Sequence, residues 1–443
     1  MFTMRNLAKL LQPCTGVGLL LLAANAMAVP SFSRQTGRPC SGCHTVYPEL
    51  TAYGREFKLL GFVAGDKLDA EKSLLRLPLS VSAVLSSTST SKTSDAPDAF
   101  PHDRDVILQD VSVYYGGRIA GNLGALVQYK YHAVDFKWAT EMAEIRYANE
   151  TTLGKDKQLI YGVTVNNNPT IADVYNSTPM WSFPHQASVV SVMPNAAAII
   201  DNGLASQVGG VGVYARWNEL IYVEVDAYHK GTGIFHPLTS GVTLGSVVDG
   251  FAPYWRLALQ YESKPHEFEI GTYGLDVKIF PDAMQPSGPT DHFRDIGFDT
   301  QYHYTNGDHL VSVHATHIRE KQEWDASFPI MASNPSSTLK TSRADVHYVH
   351  KRQVGAMLRY STTTGDADMV RYNIPDPVGG SLSGSPDTSS WTGQVFYLPM
   401  EHIQLGVQYT AYDKFNGAGT NYSGSGRRAG DNNTLYAYAW ILY

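Results

Sequence analysis

The sequence predicts an all-β protein: a 16-stranded antiparallel barrel of the outer-membrane kind, behind a small, mostly helical N-terminal segment. Three observations predict it. Apolar and polar residues alternate with period two from Leu75 onward, short turns and long polar loops follow one another down the chain, and no run of 18 or more apolar residues occurs after residue 28. Any membrane span must then be made of strands, because in lipid a backbone is satisfied only by a helix or a closed barrel.

Residues 1–28 read as a cleaved secretory signal: basic at Arg5 and Lys9, apolar from Gly16 to Ala24, and ending in Ala26-Met27-Ala28 before Val29-Pro30. Cys14 precedes the apolar core, which argues against a lipoprotein anchor, and two cysteines survive processing. Without Arg5 and Lys9 the 34 Lys+Arg fall to 32 against 41 Asp+Glu, a net charge of −9, so nucleic acid is excluded as a partner. With 27 tyrosines and 39 glycines, the mature chain suits one large β structure better than several soluble domains.

The alternation is plain in Leu75, Leu77, Leu79, Val81, Ala83 and Leu85, with Arg76, Ser80 and Ser82 between them. It recurs at Val111 to Tyr115, Leu123 to Tyr129, Leu159 to Val165 and Ile403 to Ala411. Short turns are expected near Gly121-Asn122, Thr151 to Lys157, Asn218, Ser263 to His266, Asn306 to Asp308, His350 to Gln353 and Pro399 to His402. Long loops are expected near 87–105, 168–205, 231–250, 280–292, 321–340, 361–390 and 414–432, with a brief one near 135–139. Seven turns and eight loops join 16 strands, so both ends of the barrel face one side, the periplasm. The last strand, Leu435 to Tyr443, is aromatic on one face and small on the other. A soluble all-β protein also alternates, but 16 strands with polar inner faces would leave its core full of unsatisfied side chains. Residues 168–205 are expected either to hide a further strand pair or to fold into the lumen.

Cys40-Ser41-Gly42-Cys43-His44 carries the chemistry. It is the attachment pentapeptide of a c-type haem: two thiols spaced to add to the two vinyl groups and an adjacent imidazole, His44, to ligate the iron. The competing readings are a disulfide between Cys40 and Cys43, which would close too small a loop to stabilise much, and half of a zinc site, for which no second cysteine pair exists. The expected organisation is a signal at 1–28, a monohaem cytochrome c segment at 29–73 and a barrel at 74–443.

Residues 29–73 are too few to enclose a haem, so the segment is expected to plug the lumen and borrow its wall. Pro48 is expected to open a helix whose Leu50, Tyr53, Phe57 and Leu60 cover the porphyrin or pack on the barrel. After His44 there is no His before His102 and no Met before Met142, so a second imidazole or thioether ligand must come from the barrel or its loops. Met180, His185 and Met193 are candidates, as are water and Lys58. Arg34, Arg55 and Lys58 flank the motif and could pair with haem propionates or remain solvated. Asp95, Asp98, His102, Asp103 and Asp105 could capture ferrous iron in the first outer loop, or make an ordinary polar loop.

Val29-Pro30-Ser31-Phe32-Ser33-Arg34-Gln35-Thr36-Gly37, the pentapeptide, Pro48-Glu49-Leu50 and Gly54-Arg55-Glu56-Phe57-Lys58-Leu59 together resemble the fused outer-membrane cytochrome-porins of iron-oxidising bacteria. The resemblance covers about 35 residues closely and the rest only in architecture. Ser33 and Tyr53 depart from that family's usual Ala and Phe and disturb no ligand. It implies one covalent haem on Cys40 and Cys43 with His44 proximal. It also implies an oxidoreductase-type electron transfer from an extracellular donor, Fe(II), to a periplasmic soluble cytochrome or copper protein. The different readings are a haem-plugged or redox-gated transport porin and a gas- or peroxide-sensing haem. If the motif holds haem covalently, the denatured chain from isolated outer membranes will stain for haem and the Cys43→Ala chain will not; equal staining of the two would defeat the assignment.

Overall fold

The computed structural model describes residues 30–65, 77–92, 103–176, 185–245 and 247–443. The expected signal at 1–28 and the start of the alternation at Leu75 lie outside them. Three short helices come first: α1 (Pro30–Thr36), α2 (Cys40–Cys43) and α3 (Ala52–Leu59). Seventeen strand segments follow. They are β1 (Leu79–Thr90), β2 (Val106–Ala120), β3 (Leu123–His132), β4 (Lys137–Leu153), β5 (Lys157–Asn166), β6 (Val208–Trp217), β7 (Ile221–Lys230), β8 (Val247–Val248) and β9 (Ala252–Ser263), then β10 (His266–Phe280), β11 (Asp291–Asn306), β12 (His309–Glu323), β13 (Ser336–His350), β14 (Val354–Gly365), β15 (Thr388–Met400), β16 (Ile403–Lys414) and β17 (Thr434–Leu442).

β8 and β9 both pair with β10, Val248 opposite Ile279 and Tyr254 opposite Leu275, so they are one stave broken at residues 249–251. The barrel therefore has the 16 staves that the sequence predicts, every neighbouring pair antiparallel. It closes where β1 pairs with β17, Ser82 opposite Leu442 and Thr90 opposite Thr434. Closure leaves no edge strand, the condition for a sheet to stand in hydrocarbon.

Which face points where separates this barrel from a soluble one. In β7, Val223 and Val225 are exposed on the outside while Glu224 and Asp226 are buried within; in β9, Trp255, Leu257 and Leu259 face out and Arg256 and Gln260 face in. A polar interior and an apolar, solvent-unsuited exterior is the arrangement of an outer-membrane barrel, with lipid completing the outer contacts. Among the described residues no helix is long and apolar enough to cross a membrane.

The seven short turns all fall at one end and the long connections at the other. In the connection between β5 and β6 the described residues, 167–176 and 185–207, contain no strand pair and fold inward: Pro169–Ala172 is a buried 3-10 turn, and the Tyr175 carbonyl accepts from the Leu50 amide of the N-terminal segment at 3.1 Å. Residues 30–65 thus meet both the barrel wall and an inward loop, and together they fill the lumen near the short-turn end. The fit is close. A Cβ on Gly124 of β3 would lie 2.2 Å from the Gly61 carbonyl oxygen, so only glycine lets this part of the plug reach the wall.

If the outer face meets hydrocarbon, Val225→Arg and Leu257→Arg will each cost about 2–4 kcal/mol near mid-membrane, read from denaturant titration of the chain refolded in lipid vesicles. No loss at either position would contradict the lipid-facing assignment.

Candidate functional site

The pentapeptide folds as the single turn of α2. One helical turn satisfies few of its own backbone groups, and here both ends are completed by residues from the short-turn rim. Glu401, between β15 and β16, accepts from the Cys40 amide through Oε2 at 3.0 Å and from Ser41 Oγ through Oε1 at 3.0 Å. Arg352, between β13 and β14, donates to the carbonyls of Ser41 at 3.0 Å and His44 at 3.2 Å. The acid thus sits at the positive end of the turn and the base at the negative end, each complementing the local dipole. Tyr47 adds a hydrogen bond from its hydroxyl to the Glu401 carbonyl at 2.8 Å.

α3 begins at Ala52 and not at Pro48, because Thr51 caps it by accepting from the Gly54 amide through its side chain at 3.2 Å. Thr51 also donates its hydroxyl to the Gly42 carbonyl at 2.9 Å, tying the helix to the pentapeptide. Gly54 makes the contact possible, since a Cβ there would stand 2.3 Å from the Cys43 carbonyl oxygen. The apolar stripe divides between its two expected roles. Leu50 and Phe57 line a cavity, Leu60 packs on the wall cluster that includes Tyr214 and Tyr222, and Tyr53 lies beneath the Arg38 guanidinium at 4.0 Å.

That cavity has a volume of about 110 Å³ and is lined mainly by apolar side chains. The plug contributes Cys43, His44, Leu50, Phe57 and Phe62; the wall contributes Leu126, Met142 and Trp440; the inward loop contributes His185. His44 Nδ1 lies 3.2 Å from the Pro48 carbonyl, which as an acceptor fixes the proton on Nδ1 and leaves Nε2 with its lone pair. Burial lowers the His44 imidazole to about 4, so it stays neutral at physiological pH, as a metal ligand must. The inward loop's His185 is likewise held neutral by burial, at about 4, and stands 5.5 Å from the Trp440 ring. Burial pushes the Cys43 thiol up to about 11, which argues against a reactive thiolate pair. Cys40 and Cys43 are not joined in a disulfide; Cys40 packs with Tyr47 and Trp440 and borders a second cavity that shares His44 and Tyr47. Two thiols, a neutral oriented imidazole and an apolar cavity lining are chemistry that suits a covalently held haem.

A third cavity, of about 640 Å³, reaches from this chamber toward the long loops, past Asp110, His132 and Glu141 to Asp135 and Thr243. It shares Tyr114, Gln128, His185 and Trp440 with the first chamber.

The three cations expected beside the propionates are engaged elsewhere. Lys58 spends all three ammonium donors on the carbonyls of Ile171 and Asp173 and on Asn176 Oδ1, at 2.7, 2.9 and 2.8 Å, so it lines the chamber but is not available as an iron ligand. Arg55 pairs with Glu262 and Glu267 near the turn joining β9 to β10 and lies 4.0 Å over the Tyr175 ring. Arg34 donates to the carbonyls of Leu77 and Leu79 at the start of β1. All three fasten the plug to its surroundings. Met193 is largely exposed and does not line the chamber, whereas Met180 lies outside the described residues. Asp95, Asp98 and His102 also lie outside them; Asp103 accepts hydrogen bonds from Ser89 and the Thr90 amide, and Asp105 is exposed. Sequence reasoning missed Glu401, Arg352 and Trp440 as site residues. The aromatic alternation of the last strand carried a signal only for Trp440.

Placing a methyl group at Gly54 forces α3 off the pentapeptide. Gly54→Ala is expected to cost about 1–3 kcal/mol of plug docking, read as earlier protease clipping of residues 30–65 on heating while the barrel stays intact.

No family model and no curated protein sequence matches this chain. The solved structures to which it is similar include the following outer-membrane proteins. DcaP, an outer-membrane channel of Acinetobacter baumannii, is 12% identical with a TM-score of 0.46, over 82% of this chain and 96% of that one. In-vitro folded OmpT of Vibrio cholerae is 12% identical with a TM-score of 0.43, over 82% and 96%. Salmonella typhi OmpF, solved with daunomycin, is 11% identical with a TM-score of 0.43, over 82% and 97%. The fold assignment rests on the closed strand register and the outward apolar belt, which make this chain a 16-stranded β-barrel of the outer-membrane kind.

Proposed function

We propose that the protein is an outer-membrane electron conduit that carries electrons from an extracellular donor, ferrous iron, through one c-type haem to a periplasmic soluble cytochrome or copper protein. The observation that carries the proposal is the chamber: Cys43 and His44 face an apolar space inside the lumen that meets a second cavity running toward the long loops. With the short turns on the periplasmic side, as in barrels of this kind, the plug is inserted from the periplasm and the second cavity opens outward.

Cys40 and Cys43 would tether the group and His44 would bind its iron through Nε2, held in orientation by the Pro48 carbonyl. When bound, a haem supplies reversible one-electron chemistry at a potential set by its ligands and burial. His185 would be a second residue to hold the group, because it brings another neutral imidazole into the same chamber. Leu50, Phe57 and Leu126 exclude water and keep the site's dielectric low. Glu401 and Arg352 hold the pentapeptide at the short-turn rim, so the electron's exit lies on the side a soluble periplasmic partner can touch. Membrane hydrocarbon of about 30 Å separates the donor from that partner, and a redox centre held within the lumen divides the distance.

A second reading is a transport porin whose haem segment is a plug or redox-controlled gate, favoured by the porin-like barrel and its roomy, polar lumen. Adding ferrous ion to the purified holoprotein separates the two. Prompt appearance of the reduced-haem spectrum supports conduction; an unreduced haem together with solute flux unchanged by loss of haem supports the porin. In the same preparation His185→Ala is expected to turn a low-spin spectrum high-spin, and an unchanged low-spin spectrum would remove His185 from that role.

A further inference from the structure

Five buried titratable side chains form a chain where the plug meets β11, β12 and β13, apart from the haem chamber: His303, Glu49, His314, Asp345 and His347. Glu49 comes from the plug and the other four from the wall. Glu49 Oε1 lies 2.8 Å from His303 Nε2, and Oε2 lies 3.2 Å from His314 Nε2. One ligand atom from each of the three residues falls within 4.8 Å of the other two. Adjacent ligands about 2.1 Å from a common ion stand about 3 Å apart, so these separations are those of neighbours in one coordination shell.

We propose that Glu49, His303 and His314 bind one divalent first-row transition-metal ion that fastens the plug to the barrel wall. An ion pair between a carboxylate and two imidazoles has similar distances, and two further observations favour the metal. First, His303 Nε2 and Glu49 Oε2 are buried but make no aligned hydrogen bond, although His303 Nε2 is only 2.8 Å from Oε1. A ring N–H donating at that distance would point at its acceptor. Two lone pairs facing a common centre need not.

Second, a carboxylate stands behind His314: Asp345 Oδ1 lies 2.7 Å from its Nδ1, whereas Glu267 Oε2, 3.8 Å from His303 Nδ1, is beyond hydrogen-bond reach. The Nε2 atoms of His303 and His314 both face Glu49, and the carboxylate behind His314 is the usual outer support of a metal-bound histidine. Thr45 and Ser312 donate to Glu49 Oε1 at 2.6 and 2.8 Å, fixing the carboxylate's rotation and leaving Oε2 available. A contrasting cluster in the same lumen, Asp173, Glu269 and Asp299, holds three carboxylates equally close, but Arg256 lies among them at 4.0, 2.7 and 2.8 Å and supplies the cation itself. Two nitrogens and one oxygen suit Fe²⁺, Co²⁺, Ni²⁺ or Zn²⁺ better than Ca²⁺ or Mg²⁺.

The inference does not depend on the haem reading, since none of the three ligands lines the chamber. The test uses full-length protein in detergent, dialysed against micromolar Co²⁺ and measured for cobalt by elemental analysis, with X-ray absorption at the cobalt edge. Wild type is expected to retain one cobalt per chain in a shell containing imidazole nitrogens. His303→Gln and His314→Gln are expected to retain none, and Asp345→Asn, which keeps all three ligands, to bind about 10-fold more weakly. Heat-dependent gel mobility reports whether each variant still forms the barrel. Absence of bound cobalt in wild type overturns the proposal whatever the variants do, and so does equal retention by wild type and a folded His303→Gln chain.

Discussion

The structure depends on one constraint: residues 30–65 are too short to enclose an apolar chamber by themselves, so part of its wall has to come from the barrel. Phe57 and Leu50 cover one side and Leu126, Met142 and Trp440 the other. The barrel in turn faces its polar residues inward, because lipid requires the apolar ones outside. An apolar chamber inside a polar lumen therefore has to be built locally, where β17, β3 and β4 bring aromatic and aliphatic side chains to the inner face against the plug. Tyr436, Tyr438 and Trp440 make that reversal visible in a single strand.

Polar contacts hold the two parts in register. Arg55, Lys58, Glu49 and Arg34 each leave the plug to meet the barrel or the inward loop, while Glu401 and Arg352 reach back from the rim to the pentapeptide. Removed from water, such groups are costly when left unpaired and directional when paired, so they specify position more than they add net stability. The plug is consequently docked in one orientation, with His44 turned toward the chamber and α2 at the rim.

Much of the barrel was legible from period-two alternation and from turn chemistry. Asn306 to Asp308 and His350 to Gln353 mark hairpin turns on local grounds, and the structure has them. The broken eighth stave was not legible, because a two-residue segment such as Val247–Val248 is recognised only by its partner, Phe280 and Ile279. The pentapeptide could be singled out because its spacing is local in sequence, and the structure shows it as the single turn of α2. Glu401 and Arg352 were not: they lie more than 300 residues away and act only once the barrel has closed. The roles of Arg55 and Lys58 went the same way, for a cation beside a motif says nothing of the carboxylates and carbonyls that the fold brings to it. Thr51 carried a readable signal as a helix cap, and it, not Pro48, starts α3.

The proposed function requires that a group tethered by Cys40 and Cys43 sit between plug and wall inside the lumen. An experimental density map of the detergent-solubilised holoprotein tests it most directly. The account requires a planar feature continuous with the Cys43 side chain, in the space bounded by His44, Met142 and Trp440. Side-chain density filling that space, or a porphyrin lying outside the barrel, would contradict it.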